Sequence, residues 1–357
     1  MNGNFSILEK SSEDNSPNTN IIMETFVKSF AALLIFLGIP FNCISLYVLY
    51  RDKSNRNTTR FLMILLSICD NAVLLTAVLR YWIRATFNYD IRIYNNFVCK
   101  THGFLVSISS DFAVGTLCAI AVERFIVVSY PQKSKSLVTI FTVIVGMIGF
   151  SFGVICKNIC IIYLYNIVSI NRGGNNQTIL ACKPKLNSWI SWGFFKVDLL
   201  TYAVLPYLIL FFCNIYIYIK LRKHRIILNK TYQNIPKLQQ MNLITNEETP
   251  IPVIPKKRRI EHIIKVLTAL SLIHAITSLP AAIYQSLKAQ LKIEDNPSMH
   301  AVIQESLLLL MFTNNAINIF AYLFSSITFR QNFLDVICCV PQRKTGKRFE
   351  AEMIVNS

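Results

Sequence analysis

Long apolar stretches, parted by short polar segments, recur seven times along the chain. They run roughly from Phe26 to Tyr50, Phe61 to Ile83, Phe104 to Val128, Leu137 to Tyr165, Trp189 to Ile219, His262 to Leu287 and Ala301 to Phe324. A helix needs about 20 mostly apolar residues to cross a bilayer core about 30 Å thick, so the pattern predicts seven membrane-spanning helices. The second, fifth and sixth runs carry more polar residues and are assigned from their place in the series. Beyond the seventh, Ile327 to Ile337 alternates apolar and polar faces at helical spacing, which predicts a short amphipathic eighth helix on the membrane surface. Residues 1–25 form a tail rich in Asn and Ser, without the apolar core of a signal peptide, and are expected to be disordered. The expected organisation is an all-α membrane protein: tail 1–25, seven-helix bundle 26–326 with a long loop at about 220–260, and an eighth helix with C-tail over 327–357.

Composition agrees. Hydrophobic residues are 53% of the chain and charged residues 15%, too few charges to clothe a soluble protein of this size. The net charge of +17 is not read as a nucleic-acid surface, because the basic residues sit in clusters between apolar runs rather than on one solvated face. Instead they set direction. Segments on the side of the N-tail hold 13 Lys and Arg against 23 on the other, giving net charges of +4 and +15. Positive residues stay on the cytoplasmic side, so the expected topology is a multi-pass plasma-membrane protein with its N-terminus outside and its C-terminus in the cytoplasm. Glycosylation sequons at Asn4 and Asn176 then lie outside, while those at Asn57 and Asn229 lie inside and are chance matches.

An ionisable group at mid-bilayer is costly and needs a partner or a task. Asp70 lies midway along the second run, with Asn42 in the first and Asn314, Asn315 and Asn318 in the seventh within reach. Asp111, midway along the third, has no evident partner. Glu123 and Arg124 close the third run and are placed to pair with each other. Of ten cysteines, Cys43, Cys69, Cys118 and Cys213 fall inside runs and read as small apolar residues. Cys99 and Cys182 face the oxidising side, where a bridge would pin the loop between the fourth and fifth helices over the bundle mouth. Cys156 and Cys160 are expected to stay unpaired, and Cys338 with Cys339, just after the eighth helix, reads as a palmitoylation site. Cysteine and histidine spacing offers no zinc site and no nucleophile stands with a base, so neither a cofactor nor an enzymatic activity is expected.

Taken together, these residues resemble the rhodopsin-like (class A) G protein-coupled receptors over nearly the whole bundle. Gly38-Ile-Pro-Phe-Asn42 resembles the family's first-helix Asn motif and Leu66-Ser-Ile-Cys-Asp70 its second-helix Leu/Asp motif. Cys99 stands 25 residues before Arg124, Glu123-Arg124-Phe125 matches the Asp/Glu-Arg-Tyr motif, and Pro131 follows seven residues on. Pro206, Pro280, the Asn318-to-Tyr322 segment and Phe329 complete the series. The resemblance implies a G protein-coupling surface of Glu123, Arg124, Phe125 and Glu261. It also implies a switch core of Asn42, Asp70, Asn314, Asn318, Tyr322, Pro206 and Pro280, with a possible sodium ion at Asp70, and arrestin as a further partner. There are departures. The fourth helix has no Trp, Thr277-Ser278-Leu279-Pro280 replaces the Cys-Trp-x-Pro motif, and His274 replaces a Phe. Ile319 replaces a Pro, Asn214 a Tyr, and Ala113 the Ser of the sodium site.

Ligand class is narrowed residue by residue. Val106 stands where amine receptors of the family carry Asp, and the seventh run has no Lys for retinal. The outer half of the bundle offers Ser107, Ser110, Asp198, Gln285, Gln304 and Glu305, a wide and mixed-charge set that suits a peptide, with Asp198 and Glu305 placed for a basic ligand side chain. Tyr81-Trp82-Ile83-Arg84 and the turn from Arg124 to Lys135 are similar to invertebrate neuropeptide receptors. The expected action is ligand-driven outward movement of the sixth helix, releasing an Arg124 restrained by Glu261, and activation of a heterotrimeric G protein. The alternatives are an orphan or odorant-type receptor with atypical signalling, and an ion-coupled transporter.

Overall fold

The computed structural model describes residues 17–51, 57–172, 177–185, 189–233, 271–284, 297–325 and 327–337. Its first helix, α1 (Pro17–Arg51), is followed by α2, which runs from Asn57 to Phe87 with a π turn at Leu74–Val78. A left-handed Asn88 (φ 53°) ends α2, a conformation Asn tolerates at helix C-termini. The chain then makes one 3-10 turn (Ile91–Ile93) and enters α3 (Asn96–Ser129), whose first turn is capped by Asn95 accepting from Val98 N. Helix α4 (Ile140–Leu164) starts at a capping box formed by Thr139 and Thr142. Helix α5 comprises Trp189–Asp198, a π turn at Leu199–Val204, and Leu205–Gln233. Helices α6 (Ser271–Tyr284), α7 (Pro297–Ser325) and α8 (Ile327–Ile337) complete the order.

Five of these, α1 to α5, are long and apolar enough to cross a membrane, with α6 described as a shorter apolar helix. The molecule is a seven-helix transmembrane bundle with a short eighth helix. One element is added to the expected helices. The segment between α4 and α5 is a two-stranded antiparallel hairpin, β1 (Tyr165–Arg172) and β2 (Gln177–Pro184), with Ile167 opposite Cys182.

Helix α3 is the central post, packed against α2, α4 and α5, while α1 lies against α2 and α7. Close approach of α1 to α7 depends on Gly38, where an added Cβ would come within 2.8 Å of Ala316 Cβ and 2.7 Å of Leu74 Cδ1. Leu49, Leu62, Leu66, Leu74, Leu309 and Ile319 are fully buried in the shared core. Outward-pointing residues such as Phe36, Phe141, Ile148, Phe152, Phe211 and Phe212 are exposed, as expected where lipid rather than water is the solvent. The rings of Tyr322 of α7 and Phe329 of α8 meet in a tilted contact at 5.4 Å, which helps to hold α8 against the bundle.

Candidate functional site

Three polar assemblies thread the bundle. At the end of α3 that meets the start of α2, Glu123 and Arg124 are both buried. Thr58 and Thr59 donate to Glu123 Oε1 at 2.9 and 3.0 Å. Arg124 lies 3.2 Å from Glu123 Oε2 as an ion pair and also donates to Thr59 Oγ1. The expected Glu123 to Arg124 pair is present, and two threonines the sequence did not single out hold it to α2. Phe125, the third motif residue, packs on Tyr216 of α5 at 4.8 Å. Glu261 lies outside the described residues.

The second assembly surrounds Asp70, which has no solvent exposure. Asn315 Nδ2 donates to Oδ1 at 2.8 Å and Asn318 Nδ2 to Oδ2 at 2.6 Å. Asn42 reaches the same knot indirectly, donating to the Asn315 carbonyl at 2.9 Å. The expected Asn314 is also buried, but the donor that joins Asn318 on the carboxylate is Asn315, one turn before it on α7. Among the described residues, the buried side-chain oxygens of Asn42, Ser45, Asn314 and Tyr322 have no hydrogen-bond partner. Such a set of oxygen donors fits a hard cation or ordered water.

A third assembly was not legible beforehand. Asp111, expected to stand alone, is the centre of a cluster joining three helices. Lys157 of α4 lies 2.8 Å from Asp111 Oδ2 and 2.7 Å from Asp198 Oδ1 of α5, and donates to Thr201 at 3.3 Å. Asn158 donates to Asp111 at 2.5 Å. The missed signal was a lysine inside the fourth apolar run. The π turn at Leu199–Val204 begins directly after Asp198 and shifts the register of α5 before the buried Pro206.

On the hairpin side, Cys99 and Cys182 form the expected disulfide, and Asn96 accepts from Ile167 N at 2.8 Å. Nearby, Asp90 takes two hydrogen bonds from Arg80, at 3.1 and 2.8 Å, and further ones from Arg92. Burial raises the Asp90 carboxyl, but the hydrogen bonds and charges of the two arginines outweigh it and hold the group well below the usual carboxylate range. Glu305 of α7 is paired with Arg84 of α2. Both carboxylates expected to face a basic ligand, Asp198 and Glu305, therefore already hold a cation of the chain. Ser110 is buried, Ser107 and Gln304 are half-buried, and Gln285 lies outside the described residues. So do Asn4, Asn176, Cys338 and Cys339.

In α6, Pro280 sits within the described helix. His274, at the position of the replaced Phe, is buried, lies 3.2 Å from Ser278 and meets the ring of Tyr207 in a tilted contact at 5.4 Å. Asn214 donates to Ser271 at 2.7 Å, so two of the departures in sequence make polar contacts between and within α5 and α6.

Residues 41–322 match the family model of the 7 transmembrane receptor (rhodopsin family). The chain belongs to the rhodopsin family. Rhodopsin-family proteins are receptors rather than enzymes, and the chain is accordingly a multi-pass membrane receptor. Among curated relatives, it is similar to rhodopsin of Lithobates pipiens, 26% identical over 30% of this chain and 29% of that protein. It is likewise similar to G-protein coupled receptor 68 of Mus musculus, at 25% identity over 36% of this chain and 34% of the relative, and of Homo sapiens, at 27% over 34% and 33%. The matched segment spans about a third of the length of these relatives.

Proposed function

We propose that this receptor sits in the plasma membrane with its N-terminus and hairpin outside, binds an extracellular peptide at the hairpin end, and activates a heterotrimeric G protein at the Arg124 end. The observation that carries the reading is the buried Arg124, held between Glu123 and Thr59 at one end of α3, while the disulfide-pinned hairpin roofs the other. A ligand that binds one arrangement of the bundle better than another shifts the population toward it. Movement of α6 about Pro280 would open a crevice in which Arg124 leaves Glu123 for the G protein. A peptide is favoured over a compact amine by the charged rim, where Arg80 and Arg92 flank Asp90 and Arg84 meets Glu305. An invertebrate neuropeptide is the first class to screen.

Glycans at Asn4 and Asn176, acyl chains at Cys338 and Cys339, restraint by Glu261 and binding of arrestin belong to the same proposal. The oxygens around Asp70 would hold a sodium ion, with Asp70 supplying the charge; Ala113, where the family carries Ser, removes one donor.

The test is Arg124→Ala in cells screened against a peptide library. Ligand-driven nucleotide exchange is expected to fall at least tenfold with surface expression unchanged, about 1.4 kcal/mol or more of lost coupling. Undiminished exchange would remove Arg124 from the mechanism.

A further inference from the structure

A cavity of about 750 Å³ lies between α3, α4 and α5, on a face of the bundle where its lining residues Val122, Val197, Leu205 and Ile209 are exposed. Its walls are apolar: Val114 and Cys118 of α3, Met147 and Val154 of α4, Leu205 and Ile209 of α5. Lining residues on α3 run from Asp111 to Ile126, a length of about 22 Å at 1.5 Å per residue. Gly146 and Gly153 also line it, and a Cβ built on either would meet nothing within 4 Å.

The two ends differ. At one, Glu123 reaches the lining, but its oxygens are already taken by Thr58, Thr59 and Arg124. At the other stand Asp111, Lys157 and Thr201, with Asp198 bonded to Lys157. Here two carboxylates share one ammonium. The three hydrogens of Lys157 Nζ are spent on Asp111, Asp198 and Thr201, and Asp198 Oδ2 makes no hydrogen bond among the described residues. Among the described residues one carboxylate is thus left without a counter-ion, and the Asp198 side chain, near the start of the α5 span, is 36% exposed.

We propose that this slot binds a single-chain cationic amphiphile from the bilayer, its alkyl tail along α4 and its primary amine on Asp198. The volume is within the 300 to 1,000 Å³ or so of small-molecule sites, the slot is long and dry where a tail would lie, and the amine supplies the missing charge. The charged end of the slot at Asp111 lies about 18 Å along α3 from Glu123, and labelling is read without any signalling output, so the proposal stands or falls independently of the proposed signalling.

The full chain in phosphatidylcholine nanodiscs is photolysed with a diazirine-bearing octadecylamine, or with the alcohol or carboxylate of the same tail, and adducts are mapped by peptide mass spectrometry. The amine is expected to label α4 and α5 peptides about tenfold more than either analogue, the ratio that about 1.4 kcal/mol of added binding gives. Asp198→Asn should bring the amine down to the alcohol's level and Asp198→Glu should restore it, which separates charge from folding. Gly153→Leu should abolish labelling by all three, since its side chain fills the slot. Equal labelling of the native chain by amine and alcohol, or labelling confined to other helices, overturns the proposal. So does a Gly153→Leu chain that keeps its label but changes its oligomeric state in native mass spectra, because the face would then be a contact between copies.

Discussion

Lys157 shows how much one side chain decides in a low-dielectric interior. Its ammonium is surrounded by Asp111 and Asp198 and is itself largely buried. Replacing it with Met leaves Asp111 charged and unpaired, and breaking one partner of a buried pair costs about 3 to 5 kcal/mol. A Lys157→Met receptor is expected to unfold at clearly lower temperature in a thermal melt, and adding Asp111→Asn should recover a large part of the loss, because the stranded charge goes with it. The cluster escaped the sequence for a geometric reason. Asp111 was visible as a buried acid, but which residue meets it depends on the rotation of α4, and Lys157 reads equally well as a charge flanking the membrane. Asp90 makes a second prediction at this scale. Its folded carboxyl is depressed, so its contribution is complete above the unfolded value of about 4 and is lost as pH falls toward the folded one. The stability gap between native and Asp90→Asn chains should be full at neutral pH and close progressively below about pH 4, as read from paired melts across pH. A gap that grew on acidification would reverse the assignment.

Helices were the most legible elements, because an apolar run long enough to cross a bilayer has few other solutions. Their internal irregularities were not. The π turns at Leu74–Val78 and Leu199–Val204 follow no residue pattern in those segments; they are settled by packing, as where His102 Nε2 meets the Thr76 carbonyl at 3.0 Å inside the first. The hairpin was missed for a related reason, since its alternation begins inside what looks like the end of the fourth apolar run. Its covalent tie was foreseen from the placement of two cysteines. That tie closes a segment of 83 residues, and loss of a native disulfide typically costs about 2 to 5 kcal/mol. Cys182→Ser should lower the melting temperature and, by freeing β2 from α3, weaken peptide binding more than it weakens Arg124-dependent basal exchange. Equal loss of both would mean that the bridge acts on the whole bundle and not on the hairpin.

At the scale of the molecule, seven spans and the family were readable from order and spacing, whereas the partners of individual charges were not. The net charge of +17 shows the difference: its clusters mark the loops, yet several of the charges lie in the interior as Arg80, Arg124 and Lys157. The Asp111 to Lys157 to Asp198 cluster has one more consequence, for biosynthesis. Each of three successive spans carries a charge that the insertion machinery meets at about 2.5 to 3.5 kcal/mol if centred in lipid, and Lys157 leaves the ribosome after Asp111 and before Asp198. Helix α4 therefore has a counter-ion waiting when it enters the bilayer, and α5 arrives to a lysine already in place. The third, fourth and fifth spans are built to partition as a group, so a chain interrupted between Lys157 and Asp198 should still hold its fourth span, while one lacking Asp111 should not.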